Sequence, residues 1–328
     1  MGSLGIDPAA GARERRERNR EQPGGERAAA CGRGGPGGTS AADVPAFEHI
    51  RDAPDWKNPP RAARMSTVGP ARGILRHRPA PGRFHHARLA PPPALAGLVQ
   101  HFWIIRWELQ GNPPQTRETL PHPNVHLVVE GGQARLYGVQ RGRFVRELRG
   151  RGGVFGIKFR AGAFRGLLGK PVSTLRDRSL PLEEALGVDP AALLRDLAAA
   201  GEDDARQVQA AVRFLEPIRP PPDPVAERIA ELVARIERER DLLRVEQAAE
   251  AFGTAPRTLQ RLFNDYVGIG PKWVIQRYRL HQALERLACG DAADGTRLAL
   301  ELGYFDQAHF IRDFRRLVGR SPGEYLRG

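Results

Sequence analysis

The last third of the chain contains an internal repeat, which restricts the possible fold more than any other feature of the sequence. Residues 249–253 and 299–303 share the pattern Ala-(x3)-Gly at an offset of 50 positions. Residues 259–271 and 310–322 share the pattern Leu/Phe-x-Arg-x-Phe-(x4)-Gly-x-x-Pro at an offset of 51. The second copy has one additional residue, which falls in the turn between these two patterns, where an insertion is tolerated best. The repeat therefore predicts two copies of one helical unit.

Each copy has the pattern of a helix-turn-helix unit. Its alanine is small enough for the first helix to approach the second closely, and its glycine can adopt the positive φ that turns the chain. The second helix then presents an apolar i, i+4 pair to the core: Leu259 and Phe263, or Phe310 and Phe314. The Gly-x-x-Pro that follows predicts the end of this helix and the start of the next. Asp306 is placed to cap the second helix of the second copy.

Residues 224–327 resemble the C-terminal DNA-binding domain of the AraC/XylS-type transcriptional regulators. The resemblance is carried by residues 245–287 and 297–326, and most specifically by Gly303-Tyr-Phe-Asp306 and Gly319-Arg-Ser-Pro322. It implies an all-α domain over residues 225–328, with two helix-turn-helix units joined by a long helix at about Pro271–Cys289. Two recognition helices, at about 256–266 and 307–318, would enter successive major-groove segments of double-stranded DNA about one turn (~34 Å) apart.

The same resemblance assigns base-facing positions on both recognition helices. They are Arg257, Gln260 and Arg261 on the first, and Gln307, Ala308, Ile311 and Arg312 on the second. Helical spacing agrees for the first set, which lies opposite the apolar pair. Arginine can read guanine and glutamine can read adenine, each with about 1–3 kcal/mol of discrimination. Ala308 and Ile311 cannot hydrogen-bond to a base edge but can contact thymine methyl groups, so we expect the second unit to read fewer bases.

Four further arginines are candidates for contacts with DNA phosphates. They are Arg279 on the long helix and Arg315, Arg316 and Arg320 on or after the second recognition helix. For Arg279, Arg316 and Arg320 the alternative of a solvated surface cation stays open.

A period-two pattern precedes the helical part and predicts a small α+β domain over residues 75–186, with a mostly antiparallel sheet and short helices. The strand at His101–Leu109 alternates Trp103, Ile105 and Trp107 with Phe102 and Ile104. Further strands are predicted at Asn124–Val129, Ala134–Val139, Arg143–Leu148 and Gly153–Phe159, and short helices at 93–100, 162–168 and 181–186.

Residues 78–186 also resemble a domain of unknown function that precedes AraC-type helices in regulators from GC-rich bacteria. Residues 120–130, 142–144 and 154–164 carry this resemblance. It implies no established ligand, so a small-molecule effector is an open hypothesis.

Two groups of side chains in this domain are candidate ligand sites. Five of the nine histidines lie between His85 and His126. A metal site needs three converging ligands, and ordinary surface or hydrogen-bonded histidines explain the cluster better, so we expect neither metal nor cofactor. Lys158 and Arg160 share one face of a strand and could hold an anionic effector, although a solvated face is the simpler reading.

The remaining segments connect or precede these domains. Residues 187–216 predict a helical connector, with helices at Pro190–Ala200 and Asp203–Leu215, and the second is a hypothetical homodimer contact. The Pro-rich residues 217–224 predict a stiff linker. Residues 1–70 are rich in Gly and Pro and poor in large apolar side chains, so they are predicted to be a disordered tail. Translation starting at Met65 is a hypothesis that would place residues 1–64 outside the native protein.

Composition limits the class of function. No apolar run is long enough for a membrane span, no secretory signal is visible, and two cysteines favour a reducing cytoplasm. The net charge of +13 suggests an anionic partner. Residues 221–328, however, carry 17 basic and 16 acidic side chains, whereas residues 71–178 carry 19 and 5. The DNA-binding hypothesis therefore depends on the repeat rather than on net charge.

We therefore predict a bacterial, sequence-specific transcription regulator rather than an enzyme. Cys31 and Cys289 do not supply the cysteine-rich zinc module of a DNA-repair methyltransferase, and no catalytic motif is visible. The alternative is an architectural DNA-binding protein that acts without an effector.

Overall fold

The computed structural model describes residue 67, residues 73–75, 81–289 and 295–327. Thr67 and Ile74 form isolated β-bridges with Leu89 and Thr119. The predictions made for the rest of residues 1–70, including disorder and a start at Met65, lie outside the described residues. Within the described ranges, a sheet-rich part precedes a helical part, which confirms the predicted fold class.

Eight strands form the sheet-rich part, and every pair of neighbours is antiparallel. The strands are β1 Arg83–Leu89, β2 Val99–Glu108, β3 Gln115–Thr119, β4 His126–Glu130, β5 Gln133–Tyr137, β6 Phe144–Leu148, β7 Arg151–Phe159 and β8 Ser179–Pro181. Six of them make one sheet in the order β1-β2-β7-β4-β5-β8, and β3 pairs with β6 in a separate ribbon. We call residues 81–186 the sheet region.

The structure adds strands that the alternating pattern did not predict. β1, β3 and β8 were missed because their sequences lack a clear apolar alternation, as in the all-polar Gln-Thr-Arg-Glu-Thr of β3. The helix predicted at 93–100 is wrong in extent, because a single 3-10 turn, Pro93–Leu95, ends before β2 begins at Val99.

One face of the six-stranded sheet carries the larger core. Phe102, Ile104 and Ile157 are buried there against four helices: α1 Phe164–Leu168, α2 Leu182–Leu186, α3 Ala191–Ala200 and α4 Asp204–Leu215. Asp203 caps α4 by accepting from the amide of Arg206. The apolar side of α4 is therefore used inside the chain's own core.

The opposite face of the sheet accommodates two indole rings above glycines. A Cβ on Gly156 would lie 2.0 Å from Cε2 of Trp103, and one on Gly152 would lie 2.3 Å from Cζ2 of Trp107. Strand β7 therefore needs these glycines because the rings of β2 occupy the space that a side chain would take.

Seven helices follow: α5 Pro224–Arg238, α6 Val245–Phe252, α7 Pro256–Tyr266, α8 Pro271–Ala288, α9 Gly295–Glu301, α10 Gln307–Val318 and α11 Pro322–Arg327. We call residues 224–327 the helical region. Asp223 caps α5 and Pro224 opens it, so the last residue of the predicted linker 217–224 is helical. No helix among the described residues is long and apolar enough to cross a membrane.

The helical region shares apolar cores with the sheet region and with Leu75, which precedes the sheet region. Val139 packs in the cluster formed by α5 to α8. Leu75 and Leu120 pack in the cluster formed by α8 to α11 and are both fully buried. Each helix-turn-helix unit is thus completed by side chains from outside the helical region.

The packing above Gly156 can be tested by substitution. Gly156→Ala is expected to lower the free energy of unfolding by about 1–3 kcal/mol, because the added methyl group collides with the Trp103 ring. Urea unfolding measures the change. Gly153→Ala in the same strand is the control, since its Cβ would meet nothing closer than 3.5 Å. Equal stability losses for the two variants would contradict the packing argument.

Candidate nucleic-acid interface

The two turns of the repeat have the same geometry. Gly253 has φ 73° and Gly303 has φ 79°, so both turns use the left-handed conformation that glycine adopts without strain. The amide following each glycine donates to the carbonyl of the repeat's alanine, at 2.9 Å in the first copy and 3.0 Å in the second. Ala249 and Ala299 are fully buried. The predicted pair of helix-turn-helix units is present.

Both recognition helices begin and end as the sequence predicts. Pro256 lies in the first turn of α7, and Asp306 caps α10 by accepting from the amide of His309 at 2.6 Å. The chain leaves the helices through Gly268, with φ 92°, and Gly319, with φ 87°. The predicted ranges 256–266 and 307–318 match α7 and α10 residue for residue.

The first recognition helix separates its apolar and polar sides cleanly. Leu259 and Phe263 are fully buried, whereas Arg257, Gln260 and Arg261 are exposed. These three side chains form no hydrogen bond or ion pair with any residue in the described ranges. The exposed side therefore presents two guanidinium groups and one amide, which suit the edges of guanine and adenine.

The second recognition helix presents a less polar side. Gln307, Ala308 and Arg312 are exposed, but Ile311 is half-buried and packs against the core of its own unit. The side chain of Gln307 accepts from the hydroxyl of Thr296 at 3.3 Å. On this helix Arg312 therefore offers an exposed charged group, whereas the adjacent Ile311 is partly withdrawn into the core.

One exposed aromatic side chain was missed by the sequence analysis. Phe305 is 88 % exposed, immediately before the cap of α10. It lies in the turn in which the second copy of the repeat has one residue more than the first. The change of the repeat offset from 50 to 51 positions could have drawn attention to this turn. A phenyl group there offers apolar surface for a thymine methyl group.

The phosphate candidates differ in their surroundings. Arg315 and Arg316 are exposed, and Arg316 donates to Asp313 Oδ1 at 3.0 Å. Arg320 is half-buried, with its guanidinium 5.0 Å from the centre of the Tyr325 ring. All three lie at the surface, near the C-terminal end of α10.

Arg279 requires a correction, because it is only 1 % exposed. Its guanidinium donates to the carbonyls of Ile236 at 2.6 Å and Glu239 at 2.9 Å, and burial lowers its pKa to about 10. In this structure Arg279 fastens the end of α5 to α8 and is not available to a phosphate.

The burial of Arg279 reflects the position of α8, which is covered on nearly all sides. Arg277 is also buried, donates to the carbonyl of Arg141 at 2.6 Å, and lies 4.3 Å from the Trp273 ring centre. His281 stacks on His122 of the sheet region with 4.2 Å between ring centres. The helix that joins the two units is therefore also the surface on which the sheet region packs.

The histidines of the sheet region are dispersed among different contacts. His122 contacts α8, whereas His101 and His126 flank Lys158 across adjacent strands. No group of three side chains that could hold a metal ion occurs in the described part of the chain. Of the predicted basic pair, Lys158 is buried, while Arg160 is exposed and donates to the carbonyl of Ala96.

Comparisons with known proteins agree with this geometry. Residues 248–328 match the family described as "Helix-turn-helix domain". They form a helix-turn-helix domain of the AraC type. Residues 87–181 match the family described as "Domain of unknown function (DUF6597)". The AraC-type domain thus contains α7 and α10, and the second match covers most of the sheet region.

Two curated relatives align with the AraC-type domain. The HTH-type transcriptional activator RhaS of Escherichia fergusonii is 35% identical over 83 residues, which are 25% of this chain and 30% of the relative. The XylDLEGF operon transcriptional activator 1 of Pseudomonas putida is 29% identical over 107 residues, 32% of each chain. The chain thus spans about a third of the length of the curated relatives it matches.

Solved structures with some likeness include the C-terminal domain of AraT, a response regulator from Geobacillus stearothermophilus. It is 25% identical, with a TM-score of 0.28, over 32% of this chain and 85% of that chain. ToxT from Vibrio cholerae is 13% identical, with a TM-score of 0.33, over 75% of this chain and 97% of that chain.

The structural role of Arg279 has a measurable consequence. Arg279→Ala is expected to lower the free energy of unfolding by about 3 kcal/mol, because buried carbonyls lose a charged donor. Chemical unfolding followed by circular dichroism measures the effect. Arg316→Ala, which removes an exposed arginine, serves as the control and should change stability by less than about 0.5 kcal/mol. A stability loss no larger than that of the control would contradict the assignment.

Proposed function

We propose that this protein is a sequence-specific, DNA-binding transcription regulator of the AraC type that inserts α7 and α10 into successive major-groove segments. The observation that carries the proposal is the repeated arrangement of a buried apolar pair opposite exposed polar side chains on two helices with identical turns. In a bacterial cell such a regulator would work in the cytoplasm, and we propose no enzymatic reaction.

The side chains divide into two roles under this proposal. Those that would face base edges are Arg257, Gln260 and Arg261 on α7, and Gln307, Ala308, Ile311 and Arg312 on α10. Those that would contact phosphates are Arg315, Arg316 and Arg320, without the buried Arg279. Because α10 combines apolar positions with the exposed Phe305, its half-site should favour thymine methyl groups, whereas the half-site of α7 should favour guanine and adenine.

The charge of the helical region supports DNA binding only at individual exposed arginines, not through its net value. Residues 221–328 are almost neutral in total, so a strong general attraction to DNA is not expected from this part alone. Base contacts specify a site, whereas phosphate contacts position the protein. Because so few cations are available for phosphates, sequence preference should make a large contribution to affinity.

These roles predict different behaviour for two arginine variants. Arg257→Ala should relax the preference at one base pair and cost about 1–3 kcal/mol at the preferred site. Arg316→Ala should instead weaken binding to all sequences and reduce the salt slope of log K by about 0.9. Selection of bound fragments from a random DNA pool identifies the site, and titrations at several salt concentrations measure both effects.

Arg195→Ala is the matched control, since it removes the same charge from an exposed position on α3. It should leave both the preference and the salt slope unchanged. Recovery of no preferred sequence by the unaltered protein would overturn sequence-specific regulation and favour the alternative of an architectural DNA-binding protein.

The sheet region is, in this proposal, the part that senses a small anion. Lys158 is only 6 % exposed and lies between His101 on one neighbouring strand and His126 on the other. The indole Nε1 of Trp103, which is on the same face of the sheet, is buried without a hydrogen-bond partner. A carboxylate or phosphate would satisfy both donors.

Lys158 supplies the positive charge of this group near pH 7, so the binding of an anion would depend on it. Burial, with a smaller contribution from Lys158, lowers the pKa of His101 to about 2, and the same causes lower that of His126 to about 3. Both imidazoles are therefore neutral near pH 7. Burial also lowers the pKa of Lys158 to about 8, opposed by Glu237 of α5 and assisted by Arg88. The ammonium is thus charged below about pH 8.

Anion binding should follow the charge on Lys158. Acetate, succinate and inorganic phosphate are the probes, and at least one should raise the melting temperature at pH 6.5, with the shift lost as the pH rises above about 8. Lys158→Met should abolish the shift, whereas Lys170→Met, at an exposed position, should keep it. No shift with any probe at pH 6.5 would overturn sensing of a small anion and favour an effector-independent regulator.

A homodimer through α4 remains a prediction. The apolar side of α4 is occupied by the chain's own core, so a second copy would have to use polar side chains such as Arg206, Gln209 and Arg213. Sedimentation of the whole chain decides this point, because a single monomeric species at high concentration would contradict it.

A further inference from the structure

Two arginines of the sheet region contact equivalent ends of the two recognition helices. Arg176 donates to the carbonyl of Gly268, just after α7, and Arg143 donates to the carbonyl of Val318, the last residue of α10. Gly268 and Gly319 are the same position of the repeat. The two units are thus held at the same place by one neighbouring region of the chain.

The contact with α7 has several components. Arg176 Nε lies 2.8 Å from the carbonyl oxygen of Gly268, and Arg176 Nη2 lies 2.8 Å from Asn264 Oδ1. Arg165 Nε lies 2.7 Å from Asp265 Oδ1. Val172 fills the space beside Gly268, where a Cβ would lie 3.0 Å from its Cγ1. Polar and apolar contacts together fix the C-terminal end of α7.

The C-terminal end of α10 accepts a hydrogen bond from the guanidinium of Arg143. Arg143 Nη1 lies 3.0 Å from the carbonyl oxygen of Val318, and Glu118 of β3 holds the same group at 3.2 Å. A Cβ on Gly319 would lie 2.1 Å from Arg143 Nη1, so the guanidinium packs directly against this glycine. The last carbonyls of a helix lack intrahelical donors and carry the negative end of its dipole, which a cation at this position stabilises.

The segments that carry these two arginines are joined to each other. Asp177 accepts from the amide of Arg141 at 2.7 Å and pairs with its guanidinium at 2.5 Å. Backbone hydrogen bonds of 3.0 Å run from Gly138 to Arg178 and from Asp177 to Val139. We call residues 138–143 and 172–178 the brace.

Two further features show that the brace is tightly built and central. Asp177 has φ 54°, a left-handed conformation that costs energy in a residue other than glycine and that the surrounding contacts must enforce. A Cβ on Gly138 would lie 1.9 Å from the carbonyl oxygen of Leu175, so the two segments touch directly. Arg141 also accepts the hydrogen bond of Arg277 on α8. The brace therefore contacts α7, α8 and α10.

We propose that the brace fixes the separation of the two recognition helices and thereby sets the half-site spacing that the protein accepts on DNA. Arg143 and Arg176 are positioning residues in this role, since they act through the ends of α7 and α10 rather than on a base. The inference rests on the proposed function, because it assumes that both helices bind DNA. It adds that the spacing preference comes from the sheet region as well as from α8.

The test measures affinity as a function of half-site spacing. Duplexes carry the selected site, the same site with one to five base pairs inserted between its halves, or the first half-site alone. The variants are Arg143→Gln and Arg176→Gln. The matched control for Arg143→Gln is Arg149→Gln. Arg149 directly follows β6, is exposed and pairs with Glu147. The matched control for Arg176→Gln is Arg178→Gln, which changes an exposed arginine two residues away.

Loss of the brace contacts should affect only binding that needs both helices at once. Each brace variant is expected to bind the selected site about tenfold more weakly, because the effective concentration of the second helix falls when its position is less restricted. The variants should also lose less affinity than the unaltered protein when base pairs are inserted. Binding to the single half-site should change by no more than about twofold, and both controls should behave like the unaltered protein.

Three outcomes would overturn the inference or its foundation. An equal loss on the single half-site and on the complete site would show that the arginines merely support folding. Brace variants with the spacing profile of their controls would show that α8 alone determines the separation. If the unaltered protein binds with no dependence on spacing, the proposed two-helix function itself fails, and this result is recognisable before any variant is measured.

Discussion

Arginine side chains that donate to backbone carbonyls at helix ends connect the helices of this protein to one another and to the sheet region. Arg279 binds the last carbonyls of α5, Arg176 and Arg143 bind those that end α7 and α10, and Arg228 donates to the carbonyl of Phe252 at the end of α6. A planar guanidinium with five donors can satisfy several carbonyls that a helix leaves unpaired. Much of the arrangement of the units therefore depends on one kind of contact.

This contact gives the arginine-rich composition a further explanation. The chain has 51 basic residues, of which only four are lysine, and the composition alone allows either coding bias or selection for phosphate binding. In the helical region, Arg277 and Arg279 are buried and used for structure, whereas Arg257, Arg261 and Arg312 are exposed. Counting arginines consequently overstates the cations available to DNA, and their burial has to be known individually.

The sequence predicted the parts of the fold that depend on local pattern. The turns, the ends of α7 and α10 and the cap at Asp306 follow from glycine, proline and aspartate at fixed spacing, and each was placed correctly. Arg279 could not be placed, because its burial depends on the end of α5 packing against α8, about forty residues away along the chain, and on no local pattern. The polar strand β3 was missed for the same reason, since it is stabilised by pairing with β6 rather than by an apolar face of its own.

The shared cores limit how freely the parts of this protein could be exchanged. Leu75 and Leu120 complete the core of one helix-turn-helix unit, and Val139 completes that of the other. A recombined gene that joined this helical region to a different preceding domain would leave apolar cavities in both units and remove the donors for two helix ends. The stability of the helical region thus depends on the sheet region as well, so changes in either region are constrained by the other even at positions far from the exposed sides of α7 and α10.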